Sequence, residues 1–106
     1  MQQITTFLMF NEQAEAAMNF YVSIFKDAKI LSSMPSPDGK VMGGTVEIAG
    51  QKFNCFNGGP KFKFEQGISL MVSAETQAEI DHLYDSLSED GEQQPCSWLV
   101  DKFGVS

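Results

Sequence analysis

Ile4-Thr5-Thr6-Phe7-Leu8-Met9-Phe10 is the stretch on which the fold turns. It is short, apolar and β-prone, so it reads as a buried strand. Asn11 follows as an expected helix cap, because its side-chain oxygen can accept the free amides of a first turn. Glu12 and Glu15 suit the positive end of that helix. Ala14, Ala17, Met18, Tyr21, Val22 and Phe25 recur at helical spacing and give it one apolar face. A strand leading directly into an amphipathic helix is the first half of a βα module.

The module continues downstream. Lys26-Asp27-Ala28 ends the helix, and Lys29-Ile30-Leu31 begins a second strand. Pro35-Ser36-Pro37-Asp38-Gly39 is a turn, since proline fixes φ and glycine supplies the left-handed position. Thr45-Val46-Glu47-Ile48, a turn at Ala49-Gly50-Gln51, and Lys52-Phe53-Asn54-Cys55-Phe56 form a hairpin that Asn57-Gly58-Gly59-Pro60 stops. The order is β-α-β-β-β.

Then the pattern restarts. Ile68-Ser69-Leu70-Met71-Val72 is a second apolar strand, and Thr76-Gln77-Ala78-Glu79 has the form of a capping box. Ile80, Leu83, Tyr84 and Leu87 supply a helical stripe, with Gly91 at its stop. Ile4 to Ile68 is 64 positions and Tyr21 to Tyr84 is 63, a weak internal repeat of pattern. Ser97-Trp98-Leu99-Val100 reads as a strand, and Phe103-Gly104-Val105-Ser106 as the start of another. The expected fold class is α+β: one domain of paired βαβββ modules, about 1–60 and 66–106, with its C-terminal strands incomplete.

Length and composition limit the function. A chain of 106 residues suits a single domain and leaves no room for a full doubly wound sheet. Fourteen acidic residues face seven basic ones, all lysine, for a net charge of −7. Such a surface repels phosphate backbones and anionic membranes, so neither nucleic acid nor membrane is an expected partner. No stretch approaches the ~18–20 apolar residues of a membrane span. Met1-Gln2-Gln3-Ile4 has no basic leader, so a cytoplasmic location is expected. Cys55 and Cys96 read as free thiols.

Four blocks resemble PhnB-like proteins of the vicinal oxygen chelate superfamily, which includes glyoxalases, bleomycin-resistance proteins and extradiol dioxygenases. They are Ile4–Phe10 leading to Ala16-Ala17-Met18-Asn19-Phe20-Tyr21, Pro37–Met42, Phe56–Pro60 and Trp98–Ser106. Together they span nearly the whole chain in order. The resemblance implies the glyoxalase/bleomycin-resistance fold, in which the sheets of two βαβββ modules curl around a cavity. The resemblance also implies that the Phe-Gly-Val-Ser block is followed by residues completing that strand and by a final strand, so either the set is shortened here, or a partner chain completes the sheet, or one cavity wall is missing. An open edge invites pairing, and superfamily members often dimerise, so a homodimer is expected.

Superfamily enzymes hold a divalent metal through His and Glu on the first and last strands of each module. The matching positions here offer Thr5, Thr6 and Ser69, and hydroxyls replace those ligands poorly. His82 is the sole histidine and lies off the apolar helix stripe. No metal and no cofactor is therefore expected.

The candidate ligand-binding residues are Trp98, Asn57, Cys55 and Glu47. Trp98 can wall a pocket or pack in a core. Cys55 shares a strand face with Phe53 and Asn57, so either that face meets ligand or Phe53 and Cys55 lie beneath a helix. Asn57 also has a turn explanation, and Glu47 is the best-placed acid. Lys61-Phe62-Lys63-Phe64 can hold an anion or run as an extended segment with one buried face. PhnB-like proteins are often named demethylubiquinone methyltransferases, but the doublets Gly43-Gly44 and Gly58-Gly59 do not lead from strand to helix, as an adenosyl cofactor would require. The best reading is metal-free binding of a small organic molecule. A metal-dependent lyase, isomerase or dioxygenase is the alternative.

Overall fold

The structure, a computed structural model, describes residues 2–106 and falls into two compact units, Met1–Lys63 and Phe64–Ser106. In the first unit, β1 (Thr6–Phe10) leads to α1 (Ala14–Ile24), β2 (Ala28–Pro35), β3 (Val41–Ile48) and β4 (Gln51–Asn57). These strands make one sheet in the order β1-β4-β3-β2. β1 runs parallel to β4, and the other neighbours are antiparallel. This is the expected βαβββ order.

Strand alternation divides the sheet into two faces. Phe10, Val46 and Cys55 share one parity in the register, together with Phe53 and Ile30. The first three are fully buried, as are Ala14, Ala17 and Met18 of α1, so this is the face the helix covers. Tyr21 completes the buried stripe, while Val22 and Phe25 are half-buried.

The cap of α1 differs from expectation. Asn11 is exposed and makes no cap; Gln13 precedes the helix, without a side-chain bond. Instead, Asn57 Oδ1 accepts the Ala14 amide at 2.9 Å. Asn57 stands beside Phe10 in the β1–β4 register, at the end of the strand next to the helix start. A cap reached through sheet pairing cannot be seen in local sequence.

Glycines let the strands approach. A Cβ on Gly44 would run into the Ser32 carbonyl oxygen of β2. The β3–β4 turn uses Ala49 and Gly50 with φ of 50° and 83°, the two left-handed positions of a tight hairpin. In the turn before β3, the Asp38 carboxylate accepts from the Ser36 hydroxyl and the Lys40 amide. Those bonds hold Asp38 below the usual carboxylate range.

The second unit is built differently from expectation. α2 (Gln77–Leu87) starts as expected: Thr76 Oγ1 accepts the Glu79 amide at 3.2 Å, and Glu79 Oε2 reaches back to the Glu75 amide at 3.4 Å. The helix ends at Ser88, with Gly91 three residues beyond. β5 (Glu92–Gln93) pairs with β6 (Leu99–Val100) across a 3-10 turn at Pro95–Ser97. None of the stripe Ile80, Leu83, Tyr84 and Leu87 is buried.

Three strand expectations are corrected here. Ile68–Val72 is not a strand; the Leu70 amide donates to Ser106 O at 3.1 Å, but no ladder forms. Phe103–Ser106 is likewise not a strand. Buried Asp101 accepts the Phe103 and Val105 amides at 2.9 and 3.0 Å and draws that segment into a turn. Trp98 precedes β6 rather than lying within a strand. Apolar composition favours a strand only where a second strand is adjacent to pair with it, and within this unit none lies beside Ile68–Val72.

Candidate functional site

Within the first unit, no helix covers the face of the sheet opposite α1, which is left open there. Across it the register forms three rows. Lys29, Glu47 and Lys52 stand side by side at one end; Ser32, Thr45, Asn54 and Phe7 cross the middle; Met34, Gly43, Phe56 and Met9 form the apolar end. Charge therefore gives way to amide and hydroxyl, and then to ring and thioether, over three strand pairs. Phe7 is 54% exposed.

Each row has its own physics. Glu47 is half-buried and lies 3.7 Å from Lys29 Nζ, its direct cross-strand partner. An ion pair this exposed contributes only ~0–1 kcal/mol. In the middle row Thr45 Oγ1 donates to Asn54 Oδ1 at 2.7 Å, fixing the Asn54 amide. The Phe7 and Phe56 rings are tilted at 56° with centroids 6.4 Å apart, a geometry that suits their quadrupoles. Gly58 continues the apolar end: a Cβ there would strike Met9 Cε and the Phe62 ring.

Of the sequence-derived candidates, only Glu47 lies on this open face. Cys55 is 0% exposed on the helix side, and burial pushes its thiol up to about 11. Asn57 also points to the helix side, as the cap of α1. The two share a face, as their alternation requires, and it is the core face. Trp98, 50% exposed, belongs to the second unit. It borders an open depression of ≈ 440 Å³ with Gln66, Glu92, Gln94 and Pro95. Its carbonyl accepts from the Gln94 amide and the Tyr84 hydroxyl.

Thr45 and Asn54 were missed as a pair. Their signal was parity: Thr45 alternates with Val46, and Asn54 with Cys55, so polar residues of both hairpin strands fall together opposite the core. Lys61-Phe62-Lys63-Phe64 forms no strand, and Lys61 Nζ lies 5.2 Å from the Phe62 ring centre.

The donors for a metal do not come together. Thr6 faces the helix side, and Ser69 Oγ pairs with Ser106 Oγ at 2.6 Å. His82 Nδ1 lies 3.4 Å from Ser86 Oγ on exposed α2. Among the described residues, no three His, Cys, Asp or Glu side chains form a group able to hold a metal ion. An adenosyl cofactor fits no better. The first unit's strand-to-helix turn, Asn11-Glu12-Gln13, has no glycine and places acidic Glu12 at φ 62°.

A four-stranded sheet with α1 on one face, followed by a unit of one helix and a two-stranded ladder, makes this an α+β protein, and comparison with known proteins places it in the PhnB-like class. The chain belongs to the 3-demethylubiquinone-9 3-methyltransferase family, whose model matches residues 2–106. It is similar to a PhnB protein from Bacillus cereus of known structure, at 38% identity and a TM-score of 0.88, covering 98% of this chain and 95% of that one. Protein PA1353 from Pseudomonas aeruginosa shares the fold at 22% identity and a TM-score of 0.73, covering 99% and 93%. No curated protein matches the chain significantly. No helix among the described residues is long and apolar enough to cross a membrane.

Proposed function

We propose that the protein binds a small organic molecule on the face of its first sheet opposite α1, using no metal of its own, as a cytoplasmic homodimer. The observation that carries this reading is the Thr45–Asn54 pair beside the Phe7 and Phe56 rings. An oriented amide next to accessible aromatic surface is the common composition of a small-molecule site. The metal-dependent alternative lacks a donor set, and methyl transfer lacks a cradle for the donor.

The homodimer is supported by exposed apolar surface: Ile68 and Met71 in the second unit, and the edge strand β2 in the first. Light scattering at micromolar concentration tests it, and a monomer alone would refute it. Ligand binding is tested by titrating isotope-labelled protein with small aromatic compounds and following amide resonances. The expected shifts fall on Thr45, Asn54 and Phe56. Shifts confined to the surroundings of Trp98 would overturn the assignment.

A further inference from the structure

Three groups stand in line on the open face of β4: Lys52, Asn54 and Phe56, a cation, an amide and a ring. Side chains two positions apart on a strand are separated by about 6.8 Å. We infer that the ligand is an aromatic acid, its ring on Phe7 and Phe56 and its carboxylate between the Asn54 amide and the Lys52 ammonium. This rests on the open-face reading above and specifies what that face accepts.

The Asn54 amide sets the polarity. Its Oδ1 is occupied by the Thr45 hydroxyl at 2.7 Å, which leaves Nδ2 and its two hydrogens to face a ligand. Those hydrogens can only donate, so the matching ligand atom is an acceptor. Lys52 sets the charge. It stands opposite Glu47 in the register, yet Glu47 is paired with Lys29. The row thus holds two ammonium groups against one carboxylate, a local positive surplus on a chain of net charge −7. A small anion is drawn to that surplus even though the rest of the surface repels it.

Size and shape agree. Phe7 and Phe56 are tilted rather than stacked, so ring surface remains for a third aromatic group. An aryl acid with a two-carbon linker has a ring-to-carboxylate distance comparable to one two-residue interval of the strand. At the Lys52 end of the sheet there is a depression of ≈ 300 Å³ lined by Gln3, Ile4, Thr5, Gly50, Gln51 and Lys52. A cationic ligand would meet Lys52 with Glu47, the acid of that row, already paired, and a plain hydrocarbon would leave the Asn54 donors without an acceptor.

The test uses 3-phenylpropionate and its alcohol analogue 3-phenylpropanol, with the full chain and the variants Asn54→Asp and Lys52→Gln. Asn54→Asp keeps an acceptor for Thr45 but replaces the donors with a second acceptor. Lys52 is exposed, so Lys52→Gln folds even where the first variant does not. The acid is expected to bind more tightly than the alcohol and to shift the Asn54 side-chain amide. Affinity for the acid is expected to fall about tenfold in Asn54→Asp and severalfold in Lys52→Gln, with the alcohol unaffected by the latter. Open-face shifts with equal affinity for acid and alcohol in all three proteins would overturn the aromatic-acid inference and leave the site standing. Failure of either compound to shift any open-face amide would overturn the site as well.

Discussion

Asn57 caps a helix that begins 43 residues before it, its Oδ1 2.9 Å from the Ala14 nitrogen. The parallel pairing of β1 with β4 makes this possible, because it sets Asn57 beside Phe10 where the chain turns into α1. Asn57→Ala is expected to lower stability by about 1 kcal/mol, whereas Asn57→Asp keeps the acceptor and adds a favourable charge at the helix start. Urea unfolding of the two variants checks this. Equal loss in both would mean that the bond contributes nothing specific.

Cys55 and Cys96 are expected to differ sharply in reactivity. Cys96 is exposed, while Cys55 is buried and its thiol is raised from 9.0 to about 11. A thiol-colouring reagent at pH 8 should titrate one cysteine quickly and the second only after denaturant is added. Two rapid equivalents would place Cys55 outside the core.

The same burial has a pH consequence. Between pH 9 and about 11 the unfolded chain loses the Cys55 proton while the folded chain keeps it. The stabilising contribution is therefore complete below pH 9 and is lost as pH rises toward 11. Cys55→Ala should flatten this part of the stability profile, measured by denaturant midpoints from pH 8 to 11.

Gly44→Ala is expected to be severe, since the added methyl would meet the Ser32 carbonyl oxygen rather than a movable side chain. β2 must shift, at a cost of about 3 kcal/mol or more, in line with overpacking of a rigid contact. Gly50→Asn, in a hairpin position with open space around it, serves as the mild control. Similar melting temperatures for the two variants would refute the steric argument.

The two helices should respond unequally to truncation. Met18→Ala removes a fully buried side chain from α1 and is expected to cost about 2–5 kcal/mol. Ile80→Ala, on the stripe of α2, removes a side chain that is 42% exposed and is expected to cost about 1 kcal/mol or less. Thermal denaturation of both variants decides it.

What sequence revealed and concealed follows the range of the interactions. The stripe Ala14, Ala17, Met18 and Tyr21 was legible because helical spacing is local. The hairpin and the Thr76–Glu79 box were legible for the same reason. Side-chain parity in β4 was legible too, but which parity meets the helix depends on where α1 crosses the sheet. That is why Cys55 and Asn57 stood as candidates for ligand contact while Asn54 did not. Ile68–Val72 has strand composition, yet a strand is a relation between segments, and composition describes only one of them.

The parallel pairing of β1 with β4 also orders events in time. As the chain is synthesised, β3 and β4 meet across the short turn at Ala49 and Gly50, whereas β1 must wait until residue 57 has been made. Closing that long loop precedes any gain from the contacts it allows, so β1, the earliest in sequence of the four strands of this sheet, should be the last to dock. In pulse-labelled hydrogen exchange, amides of the β3–β4 hairpin should be protected before those of Thr6–Phe10. Until that docking, Phe7 and Met9 lie on an unpaired ribbon, which makes the interval before β4 is made the time when the nascent chain most needs shelter.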